Sequence, residues 1–274
     1  METEFREAGG ARVPKLGLGT WRLSGDDCVR AVSTALELGY RHVDTAQLYE
    51  NERQVGRAVR ESDVPREDVF LTTKVDPSNR SRDDILASVA RSLQRLDVDT
   101  IDLLLIHWPH PLADVETVMS AMNEARERGW VDHLGVSNFD VDKLREARRY
   151  STAPIVTNQV QFHPFHPQRR LLKYCQDRGI LLTAYSPLAH GGALSDPELR
   201  RVGQQYDKTP AQVAIRWAIQ HEGVVAVPKA TSRDHLAENL DVFDFSLTRA
   251  EVERLARPSK LRTGLAWARG RLGV

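Results

Sequence analysis

Val69-Phe-Leu-Thr-Thr-Lys74 and Ile101-Asp-Leu-Leu-Leu-Ile106 lie on either side of a segment whose apolar residues recur with helical spacing. The two flanking runs are short, almost entirely apolar or β-branched, and typical of parallel strands that are buried on both faces. The segment between them, residues 82–96, is predicted to be an amphipathic helix, with Ser81 as its N-cap and Asp84 three residues later. Strand, helix and strand in this order form one βαβ unit.

The same alternation continues along the chain in both directions. Further strands are predicted at 16–20, 41–44, 133–136, 154–159, 180–184 and 224–227. Further helices are predicted at 27–38, 115–128 and 168–178, and from Pro210 through Trp217 with Thr209 as the N-cap. Regular alternation of this kind predicts an α/β protein with a parallel sheet, which is either open and doubly wound or closed into a barrel.

The spacing of the strand ends favours the closed form. The eight ends fall at Thr20, Ala46, Lys74, His107, Asn138, Gln159, Tyr185 and Lys229. Their mean spacing is about 30 residues, the length of one βα unit. The sequence therefore predicts that residues 1–274 form one (β/α)₈ TIM-barrel domain. An N-terminal β-hairpin over residues 4–15, with Gly9-Gly10 at its turn, is expected to close the barrel floor.

Sequence motifs exclude several other classes of enzyme. An open dinucleotide-binding sheet requires a third glycine after its first strand, whereas Gly17-Leu-Gly19 is followed by Thr20-Trp-Arg22. The sequence also contains no P-loop, no HExxH motif and no GxSxG motif. These absences argue against triphosphate, zincin and serine-hydrolase chemistry.

Composition and charge restrict the partners. The chain has 38 basic and 38 acidic residues in 274, so it lacks the basic excess of a nucleic-acid-binding surface. No apolar run approaches the 18 residues that a membrane span requires, and the N-terminus lacks the order of a signal peptide. The two cysteines, Cys28 and Cys175, form no CxxC pair, as is typical of a reducing compartment. We therefore expect a cytoplasmic protein that binds neither nucleic acid nor membrane.

Polar residues follow nearly every predicted strand, at the end of a barrel where active sites lie. Asp44 and Lys74 come directly after apolar strand residues, so each needs a partner of opposite charge, and they can pair with each other. Tyr49 lies five residues beyond Asp44, and a nearby lysine is expected to lower the pKa of its phenol. His107 adds a group that can orient a carbonyl oxygen. Together these four residues form a proton donor suited to a developing alkoxide.

With these residues, the sequence resembles the aldo-keto reductases over essentially its whole length. The resemblance is carried by residues 14–20, Gly39-Tyr-Arg-His-Val-Asp-Thr-Ala46 with Tyr49-Glu-Asn-Glu52, Thr73-Lys74, Leu105-Ile-His-Trp-Pro109, Gly135-Val-Ser-Asn-Phe139, Asn158-Gln159, Ala184-Tyr-Ser-Pro-Leu188, and Pro228-Lys229 with Glu238-Asn239. Each motif is weak by itself, whereas the ordered set is specific. In length and tail the chain is most similar to small microbial members that reduce 2,5-diketo-D-gluconate or methylglyoxal.

The resemblance implies a function and a set of site residues. It implies NADPH-dependent reduction of small carbonyl compounds by a monomer, with Asp44, Tyr49, Lys74 and His107 as the catalytic residues and Tyr49 as the acid. The cofactor-binding residues that it implies are Thr20, Asp44, Ser137, Asn138, Gln159, Tyr185, Ser186, Leu188, Lys229, Thr231, His235, Glu238 and Asn239. The substrate would contact Trp21, Tyr49, His107 and Trp108. The two tryptophans could instead be core residues, but their positions at strand ends favour a place in the wall of the substrate pocket.

The sequence departs from the family pattern at three places. Relatives often have a pocket tryptophan two residues after the lysine, where this chain has Asp76, so the pocket is expected to be more open and polar. The residue after Lys229 is Ala230 in place of a serine, and the usual arginine six residues on is His235. Arg233 could substitute for it. NADPH is thus expected to remain preferred over NADH, through Lys229 and either His235 or Arg233, by a reduced margin.

Two other functions remain as alternatives to the reductase. One is a sensor of the same fold that binds the cofactor without turnover. The other is a metal-dependent hydrolase, for which His107 with His110 and His163 with His166 have suitable spacing. Proline interrupts both histidine pairs and no third carboxylate ligand is evident, so no metal site is predicted.

Overall fold

The computed structural model describes residues 3–109 and 113–259, in which parallel strands and helices alternate. The strands are β1 (Phe5–Ala8), β2 (Ala11–Pro14), β3 (Leu18–Gly19), β4 (His42–Asp44), β5 (Phe70–Val75), β6 (Ile101–Ile106), β7 (Val131–Ser137), β8 (Ile155–Gln161), β9 (Leu181–Tyr185) and β10 (Val224–Val227). The helices are α1 (Gly25–Leu38), α2 (Glu52–Arg60), α3 (Arg82–Leu96), α4 (Val115–Glu127), α5 (Val141–Tyr150), α6 (Arg169–Gln176), α7 (Pro197–Tyr206), α8 (Pro210–Gln220), α9 (Arg233–Leu240) and α10 (Arg249–Leu255).

Strands β3 to β10 form one parallel sheet in chain order, and the sheet closes on itself. Between β3 and β10, the Gly17 N–H donates to Ala226 O at 2.9 Å and the Gly19 N–H donates to Pro228 O at 3.0 Å. A Cβ atom at Gly19 would lie 2.6 Å from Val227 O, so only glycine permits this approach. The predicted (β/α)₈ barrel is confirmed.

The N-terminal hairpin closes one end of the barrel interior. Strands β1 and β2 pair antiparallel around Gly9 and Gly10, whose φ angles of 55° and 85° suit a tight hairpin turn. The hairpin residues Ala8, Ala11 and Val13 are buried in one apolar cluster with barrel residues Leu103, Leu105, Val156, Leu181 and Val225. Because these barrel residues lie on four different strands, the hairpin seals the floor, as predicted.

Capping residues fix several of the helix starts. The Ser81 hydroxyl accepts a hydrogen bond from Asp84 N, and the Asp84 carboxylate accepts one from Ser81 N, which together form the expected capping box of α3. Thr209 and Gln212 form the same arrangement at α8. Helices α2, α7, α9 and α10 had not been predicted, and of α5 only the basic patch Arg145, Arg148 and Arg149 had been predicted to be helical.

Helix α2 lies close against α3 beside the opening of the barrel. At Gly56 of α2, a Cβ atom would lie 2.2 Å from the carbonyl oxygen of Leu96, the last residue of α3. Only a residue without a side chain fits there. The close contact fixes α2 and the turn that precedes it, which carries Tyr49, relative to α3.

Candidate active site

The carboxyl ends of the barrel strands bring the predicted catalytic residues to one opening. Asp44 is the last residue of β4, Lys74 lies next to the end of β5, and His107 follows β6 directly. Tyr49 ends a single 3-10 turn, Gln47–Tyr49, that follows β4. Parallel strands end at the same edge of a barrel, and the four side chains therefore lie together.

A buried ion pair forms the base of this site. The Lys74 ammonium is 0% exposed and donates to Asp44 Oδ1 at 2.6 Å and to Thr45 O at 2.7 Å. The other carboxylate oxygen, Asp44 Oδ2, accepts from Gln159 Nε2 at 2.6 Å. Burial alone would lower the pKa of Lys74, but Asp44 and Tyr49 outweigh it and raise that pKa above its usual value. Lys74 therefore stays charged.

Tyr49 contacts this pair through its phenol. Its hydroxyl oxygen lies 3.5 Å from Lys74 Nζ, and the same ammonium lies 4.9 Å from the centre of the Tyr49 ring. The expectation that Lys74 lowers the pKa of Tyr49 is wrong for the net effect. Burial raises that pKa above its usual value, and the opposing effect of the Lys74 charge is smaller. The phenol is therefore firmly protonated at neutral pH.

His107 is held beside Tyr49 as a neutral imidazole. The two rings meet edge to face with their centroids 5.6 Å apart. Burial, aided by the Lys74 charge and opposed by Asp76, lowers the pKa of His107 to about 3. Its Nδ1 atom is buried and has no hydrogen-bond partner among the described residues. A neutral ring next to Tyr49 can hydrogen-bond a carbonyl oxygen without competing for the proton.

A second group of polar side chains lies across the opening, at the ends of β7, β8 and β9. Ser137 Oγ donates to Gln159 O at 2.8 Å, and Asn138 Nδ2 donates to Ser137 Oγ and to His107 O, both at 3.0 Å. The Tyr185 hydroxyl donates to Asn138 Oδ1 at 2.9 Å. Burial raises the pKa of Tyr185 to about 12, so this donor keeps its proton. The group offers amide and hydroxyl atoms to a planar polar ligand.

Cationic residues gather on the side where β3 and β10 meet. Lys229 follows β10, and its side chain is largely in contact with solvent. The part of it that is buried, together with the nearby charge of Arg22, lowers its pKa. The Arg22 guanidinium stacks over the Trp21 ring at 4.5 Å. His190 meets the same ring edge to face at 5.7 Å. Burial and the Arg22 charge lower the pKa of His190, so the positive charges here are those of Lys229 and Arg22, which suit an anionic ligand.

The segment after β9 has an unusual backbone. Ser186, Ala189 and His190 all have φ angles near +50°, in the left-handed region, and Ser186 Oγ lies 3.2 Å from His190 Nε2. The carbonyl oxygen of Leu188, at the centre of this segment, accepts hydrogen bonds from the backbone N–H groups of Gly191 and Ala193. The predicted cofactor residues Ser186 and Leu188 therefore lie in a compact turn directly beyond Tyr185.

The remaining predicted cofactor residues differ in exposure. Thr20 is buried, and its hydroxyl donates to Asp44 O at 3.0 Å. Thr231 and His235 are exposed near the start of α9, whereas Asn239 in the last turn of that helix is buried. Glu238 accepts a hydrogen bond from Thr209. These residues of α9 lie beyond Lys229 along the chain, and only Thr231 and His235 present largely exposed side chains.

Arg233, the alternative to His235, is already engaged. Its guanidinium pairs with Glu37 at 2.8 Å, and both side chains are more than half exposed. Exposed pairs of this kind contribute little to stability, so Arg233 can leave Glu37 at small cost.

The rim of the opening is partly apolar. Trp108 is 44% exposed and Trp21 is partly buried, so neither is a core residue. Leu48 and Leu194 are also largely exposed. Asp76, at the position where relatives often carry tryptophan, lies on the wall of a polar cavity of about 420 Å³ beside the Tyr49 turn.

Sequence reasoning missed four residues at this site: Gln47, Asn51, Arg22 and His190. Gln47 and Asn51 are buried two residues before and two residues after Tyr49, and that symmetric spacing was the available signal. Arg22 directly follows the predicted pocket residue Trp21. His190 lies in the 188–194 loop, which resembles the family segment that covers the cofactor pyrophosphate, but its contact with Trp21 joins distant parts of the chain and had no sequence signal.

No group of three or more His, Cys, Asp or Glu side chains that could hold a metal ion occurs in residues 3–109 and 113–259. His163 Nδ1 instead accepts from Phe165 N at 3.2 Å, and His110 lies outside the described residues. Within the same part of the chain, no helix is both long and apolar enough to span a membrane.

Comparison with known proteins agrees with this geometry. A model of the aldo/keto reductase family matches residues 15–259. An aldo-keto reductase of Mycolicibacterium smegmatis is 42% identical over 257 residues, which cover 93% of this chain and 92% of that protein. A methylglyoxal reductase of Escherichia coli O157:H7 is 40% identical over 247 residues, covering 89% and 92% of the two chains.

A solved structure shares the whole architecture. The crystal structure of a protein proposed to be a 2,5-diketo-D-gluconic acid reductase B superposes with a TM-score of 0.91 at 44% identity, covering 93% of this chain and 91% of that one. Members of the family use nicotinamide cofactors to reduce carbonyl compounds. With its closed barrel and these matches over nearly its full length, the chain belongs to the aldo/keto reductase family and is a carbonyl reductase.

Proposed function

We propose that this reductase uses NADPH to convert aldehydes and ketones to alcohols, with Tyr49 as the general acid. One observation carries the proposal: the Tyr49 hydroxyl lies 3.5 Å from a fully buried ammonium, Lys74, that is itself paired with Asp44. An ammonium in that place stabilises the phenolate that proton donation leaves behind. The arrangement therefore favours a phenol that gives up its proton in the transition state.

A reduced nicotinamide bound beside Ser137, Asn138, Gln159 and Tyr185 would supply a hydride for the carbonyl carbon. Tyr49 transfers its hydroxyl proton to the carbonyl oxygen, so the product is a neutral alcohol and Tyr49 is left as the phenolate. Before that step, burial keeps the phenol protonated, because it raises the pKa of Tyr49. During the step, Lys74 compensates the new negative charge, and Asp44 keeps Lys74 in place.

His107 orients the substrate in this proposal. Its low pKa, about 3, keeps the ring neutral, so the imidazole can donate a hydrogen bond to the carbonyl oxygen from a fixed position beside Tyr49. Trp21 and Trp108 would contact the rest of the substrate from the rim.

The residues at the opening fit a dinucleotide. Ser137, Asn138 and Gln159 would bind the nicotinamide amide, and Tyr185 would stack against the ring. The cationic group around Lys229 matches a phosphate, and NADPH adds a 2′-phosphate that NADH lacks. The remaining residues proposed to hold the cofactor are Thr20, Asp44, Ser186, Leu188, Thr231, His235, Glu238 and Asn239.

The substrate is proposed to be a small reactive carbonyl compound. The methylglyoxal reductase among its relatives supports this class. We further propose that residues 1–274 work as a monomeric single domain in the cytoplasm, in keeping with two buried free cysteines.

The test is Tyr49→Phe, assayed by NADPH oxidation with methylglyoxal. We expect kcat to fall by at least about 100-fold, the usual contribution of general acid catalysis. The Kd for NADPH, measured by fluorescence quenching, should stay within about twofold, since the lost hydroxyl faces the substrate. Tyr206→Phe is the matched control, because its hydroxyl bonds Glu251 far from the opening. Near-normal turnover by Tyr49→Phe would overturn the proposed acid.

A further inference from the structure

The turn that carries Tyr49 has little support of its own. It is a single 3-10 turn, in which Tyr49 N donates to Ala46 O at 3.0 Å and Glu50 N donates to Gln47 O at 3.2 Å. Short 3-10 turns have poorer hydrogen-bond geometry than α-helices. The next residue, Glu50, has a φ of +56°, a backbone conformation that is unfavourable for residues other than glycine. The position of the Tyr49 ring must therefore depend on contacts outside the turn.

Gln47 attaches one side of the turn to α3 and to the end of β5. Its amide nitrogen donates to Ser88 Oγ at 3.1 Å and to Ser92 Oγ at 3.0 Å, one turn apart on α3. Its amide oxygen accepts from Asp76 N at 2.8 Å, two residues beyond Lys74, and from Asn79 Nδ2 at 3.4 Å. All four hydrogen-bonding positions of the carboxamide are thus occupied.

Asn51 attaches the opposite side to the segment after β3. Its amide nitrogen donates to Thr20 O at 2.8 Å and to Leu23 O at 2.9 Å. Its oxygen accepts from Thr45 Oγ1 at 2.6 Å, which joins the two ends of the turn. Asn51 is fully buried and Gln47 nearly so. Two buried carboxamides thus flank Tyr49, Gln47 with four hydrogen bonds and Asn51 with three, and each fixes the turn to a different wall of the barrel.

We propose that Gln47 and Asn51 are positioning residues that hold the Tyr49 hydroxyl against Lys74, an inference that rests on the proposed role of Tyr49. The bond from Gln47 to Asp76 N ties the Tyr49 turn to the strand that carries Lys74. Proton transfer is sensitive to distance, and a displacement of about 1 Å can cost about 100-fold in rate. Among the described residues, neither carboxamide hydrogen-bonds to the side chain of Asp44, Tyr49, Lys74 or His107, so their effect passes through the backbone of the turn.

Gln47→Leu tests the proposal, because leucine fills the space without making hydrogen bonds. We expect kcat to fall about tenfold or more while the Kd for NADPH stays within about twofold. In the protein without cofactor, labelled with ¹³Cζ-tyrosine, the Tyr49 resonance should move; its loss in Tyr49→Phe assigns it. Ser88→Ala combined with Ser92→Ala removes the α3 partners without altering the turn, and should have a smaller effect of the same kind even if Gln47→Leu does not fold.

Gln47→Glu should restore most of the activity. A carboxylate at position 47 can accept from Asp76 N, Asn79 Nδ2 and the Ser92 hydroxyl, and from the Ser88 hydroxyl once it turns from its present acceptor, Ile85 O. The adjoining cavity is lined by three arginines and three carboxylates, Arg53, Arg91, Arg95, Glu50, Glu52 and Asp76. The lining therefore carries no net negative charge that would oppose the added one. If Gln47→Leu loses activity and Gln47→Glu retains it, the hydrogen bonds made by residue 47 are the cause of the lost activity.

Asn123→Leu is the matched control. Asn123 and Gln47 are both 7% exposed, and Asn123 joins α4 to the chain before β8 by bonds to Tyr150 O and Thr152 N. It should lower the melting temperature and leave kcat and the Tyr49 resonance unchanged. If Gln47→Leu behaves in the same way, Gln47 is merely structural and the proposal is wrong. The Tyr49 resonance is measured without turnover. It therefore still reports whether Gln47 positions the Tyr49 ring, even if Tyr49→Phe shows that Tyr49 is not the acid.

Discussion

Replacing Lys74 with methionine should cost much more stability than breaking any of the exposed ion pairs. Methionine fills most of the lysine volume, so the main loss is polar. Lys74 is 0% exposed, and its removal leaves Asp44 Oδ1 and Thr45 O without the donor that now lies 2.6–2.7 Å away. Breaking a buried pair by removing one partner costs about 3–5 kcal/mol. For a barrel of this size, that corresponds to a melting temperature lower by about 10 °C.

Differential scanning calorimetry and urea unfolding of four proteins measure the effect: wild type, Lys74→Met, Asp44→Asn and the double variant. The double variant buries no uncompensated charge and should be at least about 1 kcal/mol more stable than Lys74→Met alone. Arg60→Met, which breaks an exposed pair with Asp97, should change stability by less than about 1 kcal/mol. Strict additivity of the two single changes would refute a coupled buried pair, as would a Lys74→Met protein as stable as the wild type.

Three further results are expected. Burial holds the pKa of three histidines far below 6.5, at about 4 for His42 and about 3 for His107 and His163. Because these histidines are protonated in the unfolded chain at a higher pH than in the folded protein, the free energy of unfolding measured in urea should fall between pH 7 and pH 5, by up to about 2 kcal/mol per histidine at pH 5. A free energy of unfolding that does not change over this range would contradict the prediction. His235→Ala should lower the ratio of kcat/KM for NADPH to that for NADH, whereas an effect of Arg233→Ala alone would move the role to Arg233. Gly56→Ala should lower the melting temperature, because its Cβ would lie 2.2 Å from Leu96 O, and an unchanged melting temperature would show that the two helices can separate freely.

Local signals in the sequence were sufficient for much of the barrel. The strand that ends at Asp44 and the helix that begins after Ser81 lie within a residue or two of their predicted bounds, since apolar runs and capping pairs depend on neighbouring residues. Helix α2 was missed because five of its nine residues are charged or glutamine and it contains Gly56, so its helical form depends on packing against α1 and α3.

Some features of the active site also followed from local sequence signals, whereas others depended on the folded structure. Pairing of Asp44 with Lys74 followed from the rule that a buried charge needs a partner. The pKa of Tyr49 did not follow, because it depends on how completely the folded barrel surrounds the phenol, and that outweighed the lysine charge. The links from Gln47 to Ser88 and Ser92 join residues 41 and 45 positions apart, and no sequence pattern indicates such a contact.

The seam between β3 and β10 has a consequence for how the chain is made. Strand β3 contains only Leu18 and Gly19, and its outer partner, Ala226 to Pro228, lies near the other end of the described chain. A growing polypeptide must therefore expose the unpaired edge of β3 until almost the entire protein has left the ribosome. Two residues offer a short template for pairing with a foreign strand, which limits misassembly during that interval. We therefore expect the ring to close late in folding, and the shortness of β3 to limit mispairing of its edge until then.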